Sequence, residues 1–201
     1  NVGEANEYYK DENPGDITIG ENGQKLDGNT EDTAYQIWCI EDLVAFSNMV
    51  NGEGIRLENG EPVVITERNF FSGKYIVLKR DLNFKSKLSY ANSERTDFGD
   101  INGNTEDGNS LIDEMTTGTG FISIAKNGNK YFEGSFDGED HKIDNIYINS
   151  TDNYASLFGR IANNAIIENL QISGEMKSDS NLAGGIIATV YNNERTNSKN
   201  K

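Results

Sequence analysis

Hydrophobic and polar positions divide the chain into one helical stretch and many short extended ones. Ile40, Leu43, Phe46 and Val50 fall at helical spacing between Ile40 and Asn51, the pattern of an amphipathic α-helix. Glu41 and Asp42 occupy its first turn, where the helix dipole favours negative charge, and Asn51-Gly52 is a stop signal. Just before it, Tyr35 to Trp38 predicts a short strand. After Gly52 the helical period disappears. Val63 to Ile65, Tyr75 to Leu78, Gly120 to Ile124 and Tyr131 to Phe136 are β-branched or aromatic and bounded by Gly, Asn and Asp. That is the signature of short strands joined by tight turns.

Residues 143–149 read Ile-Asp-Asn-Ile-Tyr-Ile-Asn and residues 167–173 read Ile-Glu-Asn-Leu-Gln-Ile-Ser. Placed in phase, Ile143 matches Ile167, Asn145 matches Asn169, Ile146 matches Leu170 and Ile148 matches Ile172, each pair 24 residues apart. Strand-type residues recurring at that period predict stacked coils. Ile143 is then expected on Ile167 and Ile148 on Ile172. The two Asn residues are expected at one corner, because Asn tolerates a left-handed backbone. A looser echo pairs Phe71-x-Gly73-x-Tyr75 with Phe132-x-Gly134-x-Phe136. The expected fold is all-β: a right-handed parallel β-helix, or solenoid, with an N-terminal capping helix and a long inserted loop. Its expected bounds are a flexible polar leader at 1–33, the β-helix at 34–191 with an insertion at about 89–118, and a polar tail at 192–201.

Composition narrows the chemistry. The 201 residues carry 18 Lys+Arg against 33 Asp+Glu, a net charge of -15. Such a chain repels phosphate backbones, so nucleic acid is not an expected partner. One His and one Cys exclude an HExxH zinc site, a CxxC pair and an internal disulfide. No GxSxG elbow, Walker A loop or GxGxxG loop is present, and no apolar run approaches the ~20 residues that cross a bilayer. The polar C-terminus offers nothing to cover the last ladder, so further coils are expected downstream.

Three segments together resemble the GLUG-motif modules of bacterial cell-surface, adhesin-like proteins. They are Tyr75-Ile-Val-Leu78-Lys-Arg-Asp81-Leu82, then Phe132 through Ile146, then Leu157-Phe158-Gly159 with Ile167-Glu-Asn169-Leu170 and Gly184-Gly185. The motif positions are Phe132, Gly134, Phe136, Asp137, Gly138, His141, Asn145, Phe158, Gly159 and Asn169. The resemblance implies a β-helix outside the cell, secreted and held at the cell surface as part of a larger surface protein. It also implies proximity to immunoglobulin-cleaving zinc peptidases. No zinc-binding helix occurs here, and the motif carries no catalytic residue to transfer.

Candidate sites follow from residue types. His141 reads as a general base beside Asp137 or Asp140, or as a turn residue satisfied by a neighbouring coil. Asp97, Asp100 and Asp107 lie in an oxygen-rich stretch suited to calcium, although the EF-hand spacing fails at Thr105 and Leu111. No other cofactor is expected. Tyr147 and Tyr154 are the ligand-binding candidates. Tyr8, Tyr9, Tyr131 and Tyr191 are further aromatics able to stack on sugars. Cys39 reads as a buried thiol. The expected function is a non-enzymatic stalk or adhesin presenting a flat face to a host glycan or protein. The rivals are a lyase-like polysaccharide-active enzyme, with Lys142 and Arg160 read beside the 94–114 carboxylates, and an accessory domain of a surface peptidase.

Overall fold

The computed structural model describes residues 14–59, 61–84, 118–150, 154–162, 164–179 and 182–191. Eleven strands and one α-helix follow in order: β1 (Tyr35–Ile37), α1 (Ile40–Asn51), β2 (Ile55–Glu58), β3 (Glu61–Val64), β4 (Tyr75–Leu78) and β5 (Leu82–Asn83). Then come β6 (Ser135–Asp137), β7 (Lys142–Ser150), β8 (Phe158–Ala162), β9 (Ile166–Glu168), β10 (Gln171–Ser178) and β11 (Ile187–Tyr191). Three sheets are parallel, in the orders β1-β4-β6-β9, β10-β7-β5 and β11-β8, and β2-β3 is an antiparallel hairpin.

The all-β solenoid expectation is therefore corrected. Among the described residues the class is mixed, and the parallel sheets do not close into a solenoid. The sheets hold unequal numbers of strands, and several strands are only two or three residues long. An antiparallel hairpin interrupts the parallel order.

The stacking register also differs from the 24-residue reading. Ile143 faces Ile172 on one side and Leu82 on the other, whereas Ile167 faces Phe136. A register shift between Ile172 and Gly174 then sets Met176 against Ile148. Asn145 and Asn169 do both adopt the left-handed backbone, at φ 57 and 50. They stand at different corners: Asn145 Nδ2 donates to Asn83, and Asn169 Nδ2 donates to Asp137.

The helix is buried on nearly every side and packs against β1 and β2. Eleven of its 12 residues are buried. Leu43, Phe46 and Val50 point into the core as their spacing predicts. Phe46 meets the rings of Phe71, Phe132, Phe136 and Phe158 at centroid distances of 5.0, 5.6, 6.1 and 6.5 Å. Its polar face is satisfied by backbone. Ser47 donates to Ile122 O, Asn48 to Ile55 O and Asn51 to Ser123 O, while Lys126 N–H donates to Asn51. Gly52 ends it at φ 70. Residues 14–26 pack over the start: Ile17 is buried, and Gly15 and Trp38 N–H groups both donate to the Asp42 carboxylate.

Glu41 is the exception. Both carboxylate oxygens are buried, with no hydrogen bond of good geometry and only weak help from the Glu41 N–H and the Cys39 thiol. Burial lifts its carboxyl to about 7, aided by the Asp42 charge and opposed by its own N–H and the Cys39 thiol. A raised folded pKa means that stability is fullest below 4.5 and declines as pH rises from there to about 7. Glu41→Gln should remove that decline, with a gain of roughly 3 kcal/mol at pH 8. Melting curves at pH 5 and pH 8 check it. An unchanged difference between the two pH values in the variant contradicts it. Leu43→Asp places a charge in the Phe-lined core and should cost roughly 4 kcal/mol or more. Denaturant titration reads this, and a surface-like loss below about 0.5 kcal/mol contradicts it.

Candidate functional site

Phe71, Phe132 and Ile161 are all buried. Ile161 lies in β8, Phe132 bridges to it, and Phe71 turns inward on a left-handed backbone at φ 56. Their neighbours Phe70, Tyr131 and Arg160 lie on the outside, each half-buried. Backbone bonds set these segments side by side: Glu133 N–H donates to Phe70 O, and Phe132 N–H to Arg160 O. Tyr191 joins through β11, whose register places it opposite Ala162. The result is a ladder of rings. Phe70 and Tyr131 are parallel at 4.4 Å and 4°, and Tyr131 and Tyr191 at 5.1 Å and 25°.

Arginine covers the ends of the ladder. The Arg68 guanidinium lies 5.5 Å from the Phe70 centroid, and the Arg160 guanidinium 4.5 Å from that of Tyr191. Both reach one loop: Arg68 Nη1 donates to Asn129 O and Arg160 Nη1 to Gly128 O. Lys126 and Lys130 flank that loop and share the Glu53 carboxylate. Burial alone would raise the Glu53 pKa, but the two lysines outweigh it and hold the carboxyl below its usual range. Basic groups thus gather on one strip of a strongly acidic chain.

The sequence-predicted ligand residues lie elsewhere. Tyr147 is half-buried between buried Ile146 and Ile148, with the Lys177 ammonium 5.4 Å from its ring. Tyr154 lines a shallow cleft of about 60 Å³ with Ser123, Lys126 and Asn149, room for a few waters. Tyr8 and Tyr9 and the calcium candidates Asp97, Asp100 and Asp107 lie outside the described residues. Among the described residues no group of three or more acidic, His or Cys side chains is placed to hold a metal ion. The signal for the strip was present in the sequence. Phe70 and Tyr131 each immediately precede the two copies of the F-x-G-x-aromatic element.

The motif residues build corners between layers. A Cβ on Gly138 would meet Asn169 O at 2.2 Å, one on Gly134 would meet Phe71 O at 2.7 Å, and one on Gly159 would meet Ala125 O at 2.4 Å. Phe136 and Phe158 are core. Asp137 accepts the Glu139 N–H and the Asn169 amide. His141 pairs with neither Asp137 nor Asp140. Its Nδ1 lies 3.0 Å from Asp81, which also accepts the Lys142 N–H. Slight burial would raise Asp81, but the bonds from His141 and Lys142 and their charges outweigh it, so its carboxyl sits below the usual value.

No family model matches the chain, and no solved structure is a significant match. A curated relative is 41% identical over 59 residues, 29% of this chain. Its name is "Putative Gly-rich membrane protein", from Evansella cellulosilytica. The chain spans about 7% of that relative's length. This corrects the expectation of a secreted, extracellular protein, since the relative is named as a membrane protein. No described helix is long and apolar enough to cross a membrane.

A depressed folded pKa contributes stability above the ordinary carboxylate range that is lost as pH falls through the folded value. Asp81→Asn should therefore narrow the loss of melting temperature on acidification below the usual Asp pKa of 3.8. Melting scans from pH 6 downward check this, and an identical acid limb in both proteins contradicts it.

Proposed function

We propose that the chain is a non-enzymatic structural and binding module that offers its outer strip to a glycan or a protein. The observation that carries the reading is the ring ladder of Phe70, Tyr131 and Tyr191, part-exposed on segments that run beside β8 and β11. A rigid row of aromatics on a stiff scaffold gives contact area at low entropic cost. The GLUG-motif relationship is part of this proposal, carried by the residues from Phe132 to Asn169 that shape the corners. The Gly-rich relative supports reading the chain as one part of a longer, membrane-associated protein.

A lyase-like activity is the second reading, favoured by Lys126 and Lys130 lying beside Glu53. One experiment separates the two. The chain is screened against immobilised glycans and proteins, and bound ligands are assayed for chain cleavage. Binding without cleavage, weakened at least tenfold in Tyr131→Ala/Tyr191→Ala and kept in Tyr154→Ala, is the expected outcome. Cleavage products that accumulate with time overturn it in favour of the enzyme.

A further inference from the structure

We infer that the strip selects oxyanion-bearing glycans, with Arg68 and Arg160 acting as a paired guanidinium clamp for their carboxylate or sulfate groups. This rests on the glycan-binding half of the function proposed above. The ring faces themselves are occupied. Tyr131 lies between Phe70 and Tyr191, and those two rings carry guanidinia. A neutral sugar therefore finds ring edges rather than an open face to stack on. What the strip does present is oriented arginine.

Each guanidinium is fixed twice, by a ring beneath it and by one bond to the loop at Gly128 and Asn129. The two arise from distant parts of the chain and converge on neighbouring carbonyls. A planar guanidinium held in this way points its remaining N–H groups in set directions, the fork that matches an oxyanion. Arg160 is held with its Nε turned inward and without an acceptor, so its terminal nitrogens are the ones left to meet a ligand. Of the carboxylates nearby, Glu53 is taken by Lys126 and Lys130, and the others in sequence are Glu67, which precedes Arg68 and is exposed, and Glu133, next but one to Tyr131. The chain as a whole, at net -15, repels a long polyanion at a distance. Recognition is thus confined to the few oxyanion groups that lie on the strip.

Calorimetric titration of the whole chain with polygalacturonate, heparin and neutral dextran tests this. Both acidic chains should bind at least tenfold more tightly than dextran, and the ranking of the two shows whether carboxylate or sulfate is preferred. R68Q/R160Q should lose at least tenfold in affinity. R68K/R160K, which keeps the charge but not the fork, should recover only part of it. K142Q, on the β7 corner, should bind as the parent does. The single variant R68Q, at an exposed position, stands in if the double variant does not fold. Equal binding of dextran, or glutamine variants with unchanged affinity, overturns the clamp while leaving glycan binding intact. Binding to none of the three, with glycans absent from the wider screen, overturns the proposed function and the clamp together.

Discussion

The aromatic knot around Phe46 is the constraint on which the other elements depend. One helical side chain touches four phenylalanines that come from the segment before β4, the segment before β6, β6 itself and β8. Burying such a side chain is worth about 1.5–3 kcal/mol, and each well-placed ring pair adds about 0.5–1.5. No exposed ion pair of the strip approaches that sum, because such pairs contribute about 0–1 kcal/mol. The knot therefore decides where the strands lie, and the surface charges follow.

Burying the helix has a consequence for its polar residues. A helix on the surface leaves Ser47, Asn48 and Asn51 to water. Here they are enclosed, and each must find a partner. They find the carbonyls of Ile55, Ile122 and Ser123 and the N–H of Lys126. Those bonds hold the chain on either side of Ala125, which itself takes a positive φ of 59. They also place the 126–130 loop, on which both arginines then converge. The outer strip is in this sense an output of the buried helix.

The helix was legible in the sequence to the residue, because a 3.6-residue period over twelve positions has few competing readings. Strand identities were legible in part: Tyr75 to Leu78 forms as expected, whereas Gly120 to Ile124 makes only isolated bridges and the Tyr131 to Phe136 segment is a strand only from Ser135. The Asn backbone at 145 and 169 followed from residue type. The stacking register was not. A segment such as Ile143 to Asn149 alternates in a way that many partners satisfy, and a one-residue bulge changes which copy fits. Ile167 matches Ile143 in pattern, yet the knot draws Ile167 to Phe136 and leaves Ile172 for Ile143. Closure of the sheets was equally out of reach, since it depends on strand numbers that no local pattern reports. Of the site, Tyr131 and Tyr191 were legible as aromatics of strand segments. The pairing of Phe70 with Tyr131 left a trace in their shared place before the repeated F-x-G-x-aromatic element. The addition of Tyr191 left none, because it depends on that register.

The acidity of the chain and the basic strip act over different distances. At physiological ionic strength charges are screened beyond about 8 Å. The net -15 is then felt as a general repulsion at the approach of a polyanion rather than as competition inside the contact. Within the contact, the charges that count are those a few ångströms away, and there two guanidinia are fixed on aromatic rings while Glu53 is held by two lysines. A uniformly basic surface binds any polyanion. One short basic strip on an acidic body rejects partners that cannot place their oxyanions against it. The same arrangement answers the objection that an anionic protein is a poor receptor for an anionic chain: long-range repulsion lowers the encounter rate, and short-range geometry sets which encounters last.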